Sequence, residues 1–219
     1  MSVGAERFAG LHVLADDDPR WKHDPVAQAR AACAGGAAVV QLRAKSATDR
    51  QALEWAHAIR TLTRDAGAAF VVNDRFDLAL LADADAVHLG QDDVPPARLP
   101  EDVRKRLAIG RSTHTLEQVH AAADEPVTYL AFGPVFGTAS KVSPYDARGL
   151  DALAEACRAA TPRPLVAIGG IDLDGARRVG AAGARGAAVI SAVLGADDPV
   201  EATRALARAL AAGCGEAGT

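Results

Sequence analysis

Short apolar runs alternate with longer amphipathic stretches along the 219-residue chain, and eight such units predict a (β/α)8 barrel of the TIM type. Parallel strands that are covered on both faces are apolar throughout, whereas a covering helix needs only one apolar face. The even continuation of the units favours this closed barrel over an open doubly wound sheet, and no GxGxxG dinucleotide turn follows the first run. We therefore expect a single domain across residues 1–219, with loose tails at 1–10 and 212–219.

The predicted elements follow one another regularly from the N-terminus. The strands, which are apolar runs of the length seen in barrels, are Leu11–Ala15, Val39–Arg43, Ala69–Asn73, Ala86–Leu89, Ala108–Ser112, Tyr129–Phe132, Leu165–Ile168 and Ala187–Ile190. The helices between them include the stretches Pro25–Ala34, Thr48–Ala66, Leu116–Ala123, Leu150–Ala160 and Leu173–Ala181. The connection Gly133–Gly149, after the sixth strand, is conspicuously long. Because such loops in compact domains are often functional, we predict that it is a lid.

The composition argues against several classes of protein. With 24 basic and 28 acidic residues and a formal net charge of -4, the chain lacks the basic character of a general nucleic-acid-binding protein. It shows neither a membrane-spanning apolar stretch nor a signal-like segment, so we expect a cytoplasmic protein without membrane contact. The three cysteines, Cys33, Cys157 and Cys214, are widely spaced and odd in number, which argues against a disulfide framework or a CxxC metal site. A homo-oligomer is compatible with the sequence.

The second strand ends in cations, at the edge where a barrel of this kind builds its site. Alternation in Gln41-Leu42-Arg43-Ala44-Lys45 places Gln41, Arg43 and Lys45 on one side. Arginine can bind phosphate oxygens bidentately and lysine adds a mobile charge, so these residues suit a diphosphate. A solvated basic face is the alternative, but the acidic ends of the next strands favour a functional site.

The third and fourth strands are followed by acidic residues. Asp74 comes directly after the third strand, and Asp92 and Asp93 lie just past the fourth. Carboxylates that share a cation with substrate phosphates are typical of magnesium sites, so we predict Asp74 and Asp93 as ligands, with Asp92 as the alternative to Asp93. Helix capping or pairing with Arg75 would explain one such acid but not two at successive strands. The amide of Asn73 suits a heterocycle edge or substrate positioning.

The fifth strand places Ser112 at the rim and His114 just beyond it. The Ser112 hydroxyl is suited to donating to a phosphate oxygen, whereas no histidine and acid pair supports a role as a nucleophile. We interpret His114 as structural in preference to a proton carrier or phosphate donor. His88 lies within the fourth strand and is interpreted as a core or supporting histidine outside the site.

The last two strands end in Gly169-Gly170 and Ile190-Ser191. Backbone amides after the seventh and eighth strands form a frequent phosphate cradle in this fold, and glycines allow a ligand to approach closely. The rim therefore has two anion sites, one with cations and a metal and one with amides. With the lid residues Thr138, Ser140 and Lys141 between them, they indicate an enzyme that joins a diphosphate to a monophosphate and releases pyrophosphate.

These motifs together resemble the thiamine phosphate synthase family over about Leu11 to Leu194. The segments that carry the resemblance are QLRAK at 41–45, NDRFDLAL at 73–80, VHLGQDDVP at 87–95, GRSTHT at 110–115, GPVFGTASK at 133–141, AIGGI at 167–171 and VISA at 189–192. The resemblance implies a transferase that joins 4-amino-2-methyl-5-hydroxymethylpyrimidine diphosphate to thiazole phosphate, with one Mg²⁺ per subunit. It also implies a dissociative mechanism, in which the diphosphate leaves first and the thiazole nitrogen captures a pyrimidine-stabilised carbocation.

The resemblance also implies a role for each site residue. The implied ligands are Gln41, Leu42, Arg43, Ala44, Lys45, Asn73, Ser112 and Lys141 for the pyrimidine diphosphate, Thr138, Ala139, Ser140, Gly169, Gly170, Ile190 and Ser191 for the thiazole phosphate, and Asp74 and Asp93 for magnesium. Arg43, Lys45, Ser112 and Lys141 are the implied catalytic residues. The lid departs from the family pattern at Gly137, where proline is common, and at Ser140, where threonine is common. No role is assigned to Asp16–Asp18.

Two other functions fit parts of this pattern. A thiazole tautomerase of the same superfamily shares the barrel and the thiazole phosphate cradle but uses no diphosphate substrate. A non-catalytic phosphate-binding barrel needs only one anion site. The acidic segments at 73–75 and 90–93, together with Arg43 and Lys45, favour the synthase.

Overall fold

The computed structural model describes residues 4–137 and 145–217, and in this part of the chain eight parallel strands close into a barrel in sequence order. The strands are β1 Gly10–Asp16, β2 Val39–Arg43, β3 Ala69–Asn73, β4 Ala86–Leu89, β5 Ala108–Thr113, β6 Tyr129–Phe132, β7 Leu165–Ile168 and β8 Gly186–Val189. Parallel pairing of β1 with both β2 and β8 closes the ring. The predicted (β/α)8 barrel is therefore confirmed.

Helices cover the outside of the barrel. They are α1 Pro25–Gly35, α2 Asp49–Ala66, α3 Phe76–Leu81, α4 Glu101–Arg106, α5 Leu116–Ala121, α6 Gly149–Ala160, α7 Leu173–Ala181, α8 Ser191–Leu194 and α9 Pro199–Glu216. Side-chain caps fix several starts: Thr48, for example, accepts from the backbone N–H of Gln51 before α2. Left-handed glycines, Gly36 and Gly67, follow α1 and α2, where a side chain would be unfavourable.

The protein has two apolar layers with different side chains. The outer layer, between strands and helices, contains larger residues such as Leu42, Phe70 and Leu130. The smaller inner layer fills the lower part of the barrel and is rich in alanine. Apart from Phe8 and Tyr129, its buried members are alanine and valine, and the upper part of the barrel keeps room for a ligand.

The N-terminal tail is shorter than predicted. Residues Ala5–Phe8 form a 3-10 helix, and the Phe8 side chain is completely buried in the inner layer, where it closes the bottom of the barrel. At the other end α9 continues to Glu216, so residues 212–216 are helical and pack on the fold. Within the described residues, the expectation of loose tails was wrong for Ala5–Phe8 and for residues 212–216, because each segment contributes buried residues or helix packing.

The strand ends differ little from the sequence prediction. β8 ends at Val189, one residue before the predicted end, because Ile190 leaves the ladder and precedes α8. The registers bring polar ends together: Asp16 lies opposite Arg43, and Asn73 lies opposite His88. In the parts of the chain that the structure covers, the helices include none that is both long and apolar enough to cross a membrane.

Candidate active site

A cavity of about 440 Å³ opens at the carboxyl ends of the strands. Its upper wall contains the predicted charged residues, and its lower wall descends between the strands to the small apolar residues of the barrel interior. Of the predicted residues within the described chain, those that line it are Gln41, Arg43, Lys45, Asn73, Asp74, Asp93, Ser112, Gly169, Gly170, Ile190 and Ser191. The predicted pyrimidine and thiazole residues therefore face one shared space.

The cations at the end of β2 are both held by acids. Arg43 Nη1 lies 2.8 Å from Asp16 Oδ2, and the Asp16 side chain is only 2% exposed. The Lys45 ammonium contacts Asp74 Oδ2 and remains half exposed. Leu42 lies in the outer apolar layer, and neither Leu42 nor Ala44 is among the described residues that line the cavity. These two residues can therefore offer a ligand backbone groups but not side chains.

The two predicted metal ligands lie side by side. Asp74 has a left-handed backbone, with φ of 63°, and its N–H donates to the carbonyl of His88 over 2.8 Å. Asp93 accepts a 2.6 Å hydrogen bond from the Gly90 N–H. Burial and the adjacent Asp74 carboxylate raise the pKa of Asp93, the expected effect of a second negative charge nearby. Asp92 is exposed at the rim of the same cavity.

A polar chain forms the floor of the cavity. Ser112 Oγ lies 2.8 Å from His88 Nε2, and His88 Nδ1 lies 3.0 Å from the Tyr129 hydroxyl. Tyr129 is almost fully buried, and burial raises its pKa, so it is protonated at neutral pH. Its ring stacks on Phe8 with centroids 4.9 Å apart and meets the edge of His12. His88 thus supports Ser112 from below, as expected of a supporting histidine. It also lines the cavity, so the expectation that it lies outside the site was wrong.

His114 has a structural environment. Its Nδ1 lies 2.6 Å from the Gly133 carbonyl oxygen, and its ring stacks on Tyr145 with centroids 4.1 Å apart. Both contacts join the residue after β5 to the long connection after β6. This arrangement fits the structural role that the sequence favours for His114.

The glycine pair after β7 is required by close packing. Gly169 and Gly170 both have positive φ values, and a Cβ on Gly170 would lie 2.3 Å from the Gly137 carbonyl oxygen. Gly169 accepts a hydrogen bond from the Phe136 N–H over 3.1 Å, which joins the two loops. Ile190 and Ser191 lie across the cavity at the start of α8. Only small residues at 169 and 170 allow the loop after β6 to approach this side of the rim.

The sequence of this chain matches a known protein family. A sequence model described as thiamine monophosphate synthase matches residues 11–193. The chain belongs to this family. It is 48% identical over 208 residues to the thiamine-phosphate synthase of Anaeromyxobacter dehalogenans, covering 94% of this chain and 90% of the relative. It is also 48% identical over 182 residues to the thiamine-phosphate synthase of Natronomonas pharaonis, covering 82% and 85% of the two chains.

A solved structure of the family has the same architecture. Thiamine phosphate pyrophosphorylase from Pyrococcus furiosus superposes with a TM-score of 0.85 at 38% sequence identity, and the match covers 95% of this chain and 98% of that one. Orotidine 5'-phosphate decarboxylase from Pyrococcus horikoshii, at 15% identity and a TM-score of 0.64, shares the fold. The family resemblance inferred from the motifs is therefore confirmed.

Magnesium, which the thiamine monophosphate synthase family implies, fits the residues of the acidic rim. Asp74 and Asp93 offer hard oxygen donors close enough for one carboxylate to perturb the other. Within residues 4–137 and 145–217 there is no cluster of three or more histidine, cysteine, aspartate or glutamate residues that could hold a metal. Two protein carboxylates suit a magnesium ion that keeps waters and takes substrate phosphates as its remaining ligands.

Some predicted residues cannot be placed, and others escaped prediction. Thr138, Ala139, Ser140 and Lys141 lie outside the described residues. Sequence reasoning missed His12 and Tyr129, which line the bottom of the cavity. The signal was present in the alternation of β1, where His12 is two residues before inward-facing Leu14, and in a tyrosine at the start of β6.

Proposed function

We propose that this cavity joins hydroxymethylpyrimidine diphosphate to thiazole phosphate, forming thiamine phosphate and releasing pyrophosphate. The observation that carries the proposal is the pairing of Lys45 with Asp74 beside Asp93, with Arg43 at the same rim. A diphosphate leaving group needs this combination of cations and metal-binding acids, whereas an isomerase that acts on a monophosphate does not. Membership of the thiamine monophosphate synthase family supports the same reaction.

The bond changes require no general base. The bond between the pyrimidine methylene carbon and the diphosphate oxygen breaks, and its electron pair stays on the departing diphosphate. The thiazole nitrogen then donates its lone pair to the methylene carbon. Since no proton is lost from either reacting atom, a site built from cations and hydrogen-bond donors is sufficient, and electrostatic stabilisation is the main catalytic demand.

Arg43 and Lys45 stabilise the charge that grows on the leaving oxygen. Arg43 is fixed by Asp16, which leaves its other guanidinium N–H groups able to bind phosphate oxygens. Lys45 is half exposed and can turn from Asp74 to a phosphate. Asp74 and Asp93 would hold magnesium, which supplies further positive charge to the diphosphate when bound. Lys141, outside the described residues, is proposed as a third cation.

The pyrimidine ring is proposed to lie toward the floor of the cavity. Gln41 is 4% exposed, and its amide can pair with a ring nitrogen or the amino substituent. Asn73 faces the same space from β3 and would meet the ring edge. Ser112, which His88 holds in place, would instead donate to a diphosphate oxygen. The small inner residues below leave room for a flat ring. Fixed polar groups at the ring edge would hold the methylene carbon toward the rim, where the cations lie.

The thiazole phosphate is proposed to bind on the opposite side of the rim. The backbone there belongs to Gly169, Gly170, Ile190 and Ser191, with Thr138–Ser140 as further proposed contacts. Backbone N–H groups can bind a phosphate without adding charge. This separation keeps the monophosphate away from the cations, which are left for the departing diphosphate.

The decisive experiment measures pyrophosphate release with both substrates and magnesium. We expect release that requires all three components, and an about 100-fold or larger loss of kcat/KM in Arg43→Gln. Arg75→Gln is a matched control because Arg75 is an exposed arginine paired with Asp49 and Asp77. Isomerisation of the thiazole phosphate without pyrophosphate release would establish the tautomerase instead, and phosphate binding without either reaction would establish a non-catalytic barrel.

A further inference from the structure

Asp17 makes an unusual set of contacts with the loop between β2 and α2. Its Oδ1 accepts from the Lys45 N–H over 2.9 Å, and its Oδ2 accepts from the N–H groups of Ser46 and Ala47, each over 2.8 Å. The Asp17 N–H donates to the Arg43 carbonyl over 3.2 Å. Asp17, the residue that follows β1, therefore fixes the backbone on both sides of residue 44.

Three successive N–H groups that converge on one point form an anion-binding concavity. Here an internal carboxylate occupies it. Both oxygens of Asp17 accept from these donors, so Asp17 is not an open cation ligand. The carboxylate instead has a structural effect on the loop, since residues 44–48 belong to neither β2 nor α2.

We infer that Asp17 is a positioning residue for the reaction, which fixes the backbone of Lys45 so that the ammonium reaches the departing diphosphate. The inference rests on the proposed function of Lys45. Lysine has a long side chain with many rotamers, so the place and direction of its backbone decide which atoms the ammonium can reach. In the present structure that direction takes the ammonium to Asp74. Small displacements of a catalytic group can cost about 100-fold in rate.

The neighbouring acids have different contacts and supply the controls. Asp16 holds the Arg43 guanidinium directly. Asp18 is paired with the exposed Arg20. Asp18→Asn therefore removes the same charge one residue along the chain without touching the Lys45 loop. Asp17→Asn keeps the size of the side chain but replaces one acceptor oxygen with an NH2 donor. The variant then lacks an acceptor either for the Lys45 N–H or for the N–H groups of Ser46 and Ala47.

The test is a double-mutant cycle on pyrophosphate release with Asp17→Asn, Lys45→Met and the double variant. We expect Asp17→Asn to lower kcat/KM by about 10- to 100-fold and Asp18→Asn to change it by less than about threefold. In the Lys45→Met background, Asp17→Asn should cost less than about threefold, because the group it positions is gone. An equal loss in both backgrounds, or no loss in the wild-type background, would overturn the inference.

A binding measurement separates this inference from the proposed reaction. Calorimetric titration of inorganic pyrophosphate with magnesium needs no turnover and is made below the melting temperature of each variant. We expect Asp17→Asn to weaken pyrophosphate binding when Lys45 is present and to leave it unchanged in the Lys45→Met background. If the wild-type protein fails to couple the two substrates but shows this pattern, the proposed function is wrong and the positioning role stands. Equal weakening in both backgrounds overturns the positioning role.

Discussion

Substitution of Gly110 by alanine should disrupt the floor of the cavity. A Cβ at this position would lie 2.2 Å from Tyr129 Cζ, 2.4 Å from the Tyr129 hydroxyl oxygen and 2.5 Å from His88 Nδ1. Tyr129 has no easy retreat, because its ring is buried and stacks on Phe8 with centroids 4.9 Å apart. Overpacking of a core costs about 1 to 3 kcal/mol, and a buried hydroxyl that loses its partner costs about 1 to 3 kcal/mol more.

We expect Gly110→Ala to reduce the free energy of unfolding by about 3 kcal/mol, measured by urea denaturation followed by circular dichroism. For a chain of this size the melting temperature should fall by roughly 6 to 12 °C. At a temperature where the variant is fully folded, its kcat/KM should still be lower than that of the wild type, because a displaced His88 no longer supports Ser112. Gly215→Ala is the control, since its added Cβ would meet no other part of the described fold within 4 Å. If Gly110→Ala has the same free energy of unfolding and the same kcat/KM as the wild type, the argument that the added Cβ disturbs Tyr129 and His88 is refuted.

Three other results are expected. Burial and the Asp74 carboxylate raise the pKa of Asp93. Magnesium bound by both carboxylates would offset their mutual repulsion, so it should raise the melting temperature at neutral pH. Asp93→Asn should abolish this rise and Asp92→Asn should retain it; the reverse would identify Asp92 as the ligand. Burial lowers the pKa of His12 to about 4. As the pH falls from 6.5 to 4, the unfolded state binds a proton at His12 before the folded state does, so about 3 kcal/mol of stability should be lost over this range. If His12→Gln shows the same slope of stability against pH as the wild type, this expectation is contradicted. Ser112→Ala should lower kcat by about 100-fold, as in the loss of one fixed donor to a developing negative charge, and an unchanged kcat would exclude that role.

The barrel could be predicted from the sequence because its strands are short apolar runs between amphipathic stretches. β2, β3, β4, β6 and β7 begin and end at the predicted residues. The errors lie where tertiary contacts decide the outcome. Phe8 lies in a short segment without strand or helix periodicity, and it is ordered by packing inside the barrel, which no local pattern reveals.

The rim of the site could also be predicted, because polar residues that end buried strands have few structural explanations. Asp74 and Asp93 were selected in this way, and the structure brings them together. The deeper residues were harder to select. His12 and Tyr129 lie within β1 and β6, where a core role is the ordinary explanation, and only the size of the space above the alanine-rich inner layer shows that they also line a cavity.

Asp17 illustrates a further limit. Its carboxylate contacts backbone N–H groups, and a backbone contact leaves no signature in the residue types of Lys45, Ser46 and Ala47. Reasoning from motifs finds residues that face a substrate, since their chemistry must match it. Residues that fix the backbone of such a group can be recognised only once distances are known.

The charges at the rim explain why these supporting acids matter. Among the described residues, Arg43 and Lys45 lie beside the carboxylates of Asp16, Asp74 and Asp93, so without a metal this part of the rim is not strongly positive. Asp74 and Asp93 would hold magnesium, and with that positive charge beside Asp74 the Lys45 ammonium could turn toward a phosphate. The side chain alone would have to move, because Asp17 holds its backbone in place. Metal binding and leaving-group stabilisation would then be coupled through one lysine, with little reorganisation at the moment of bond breaking.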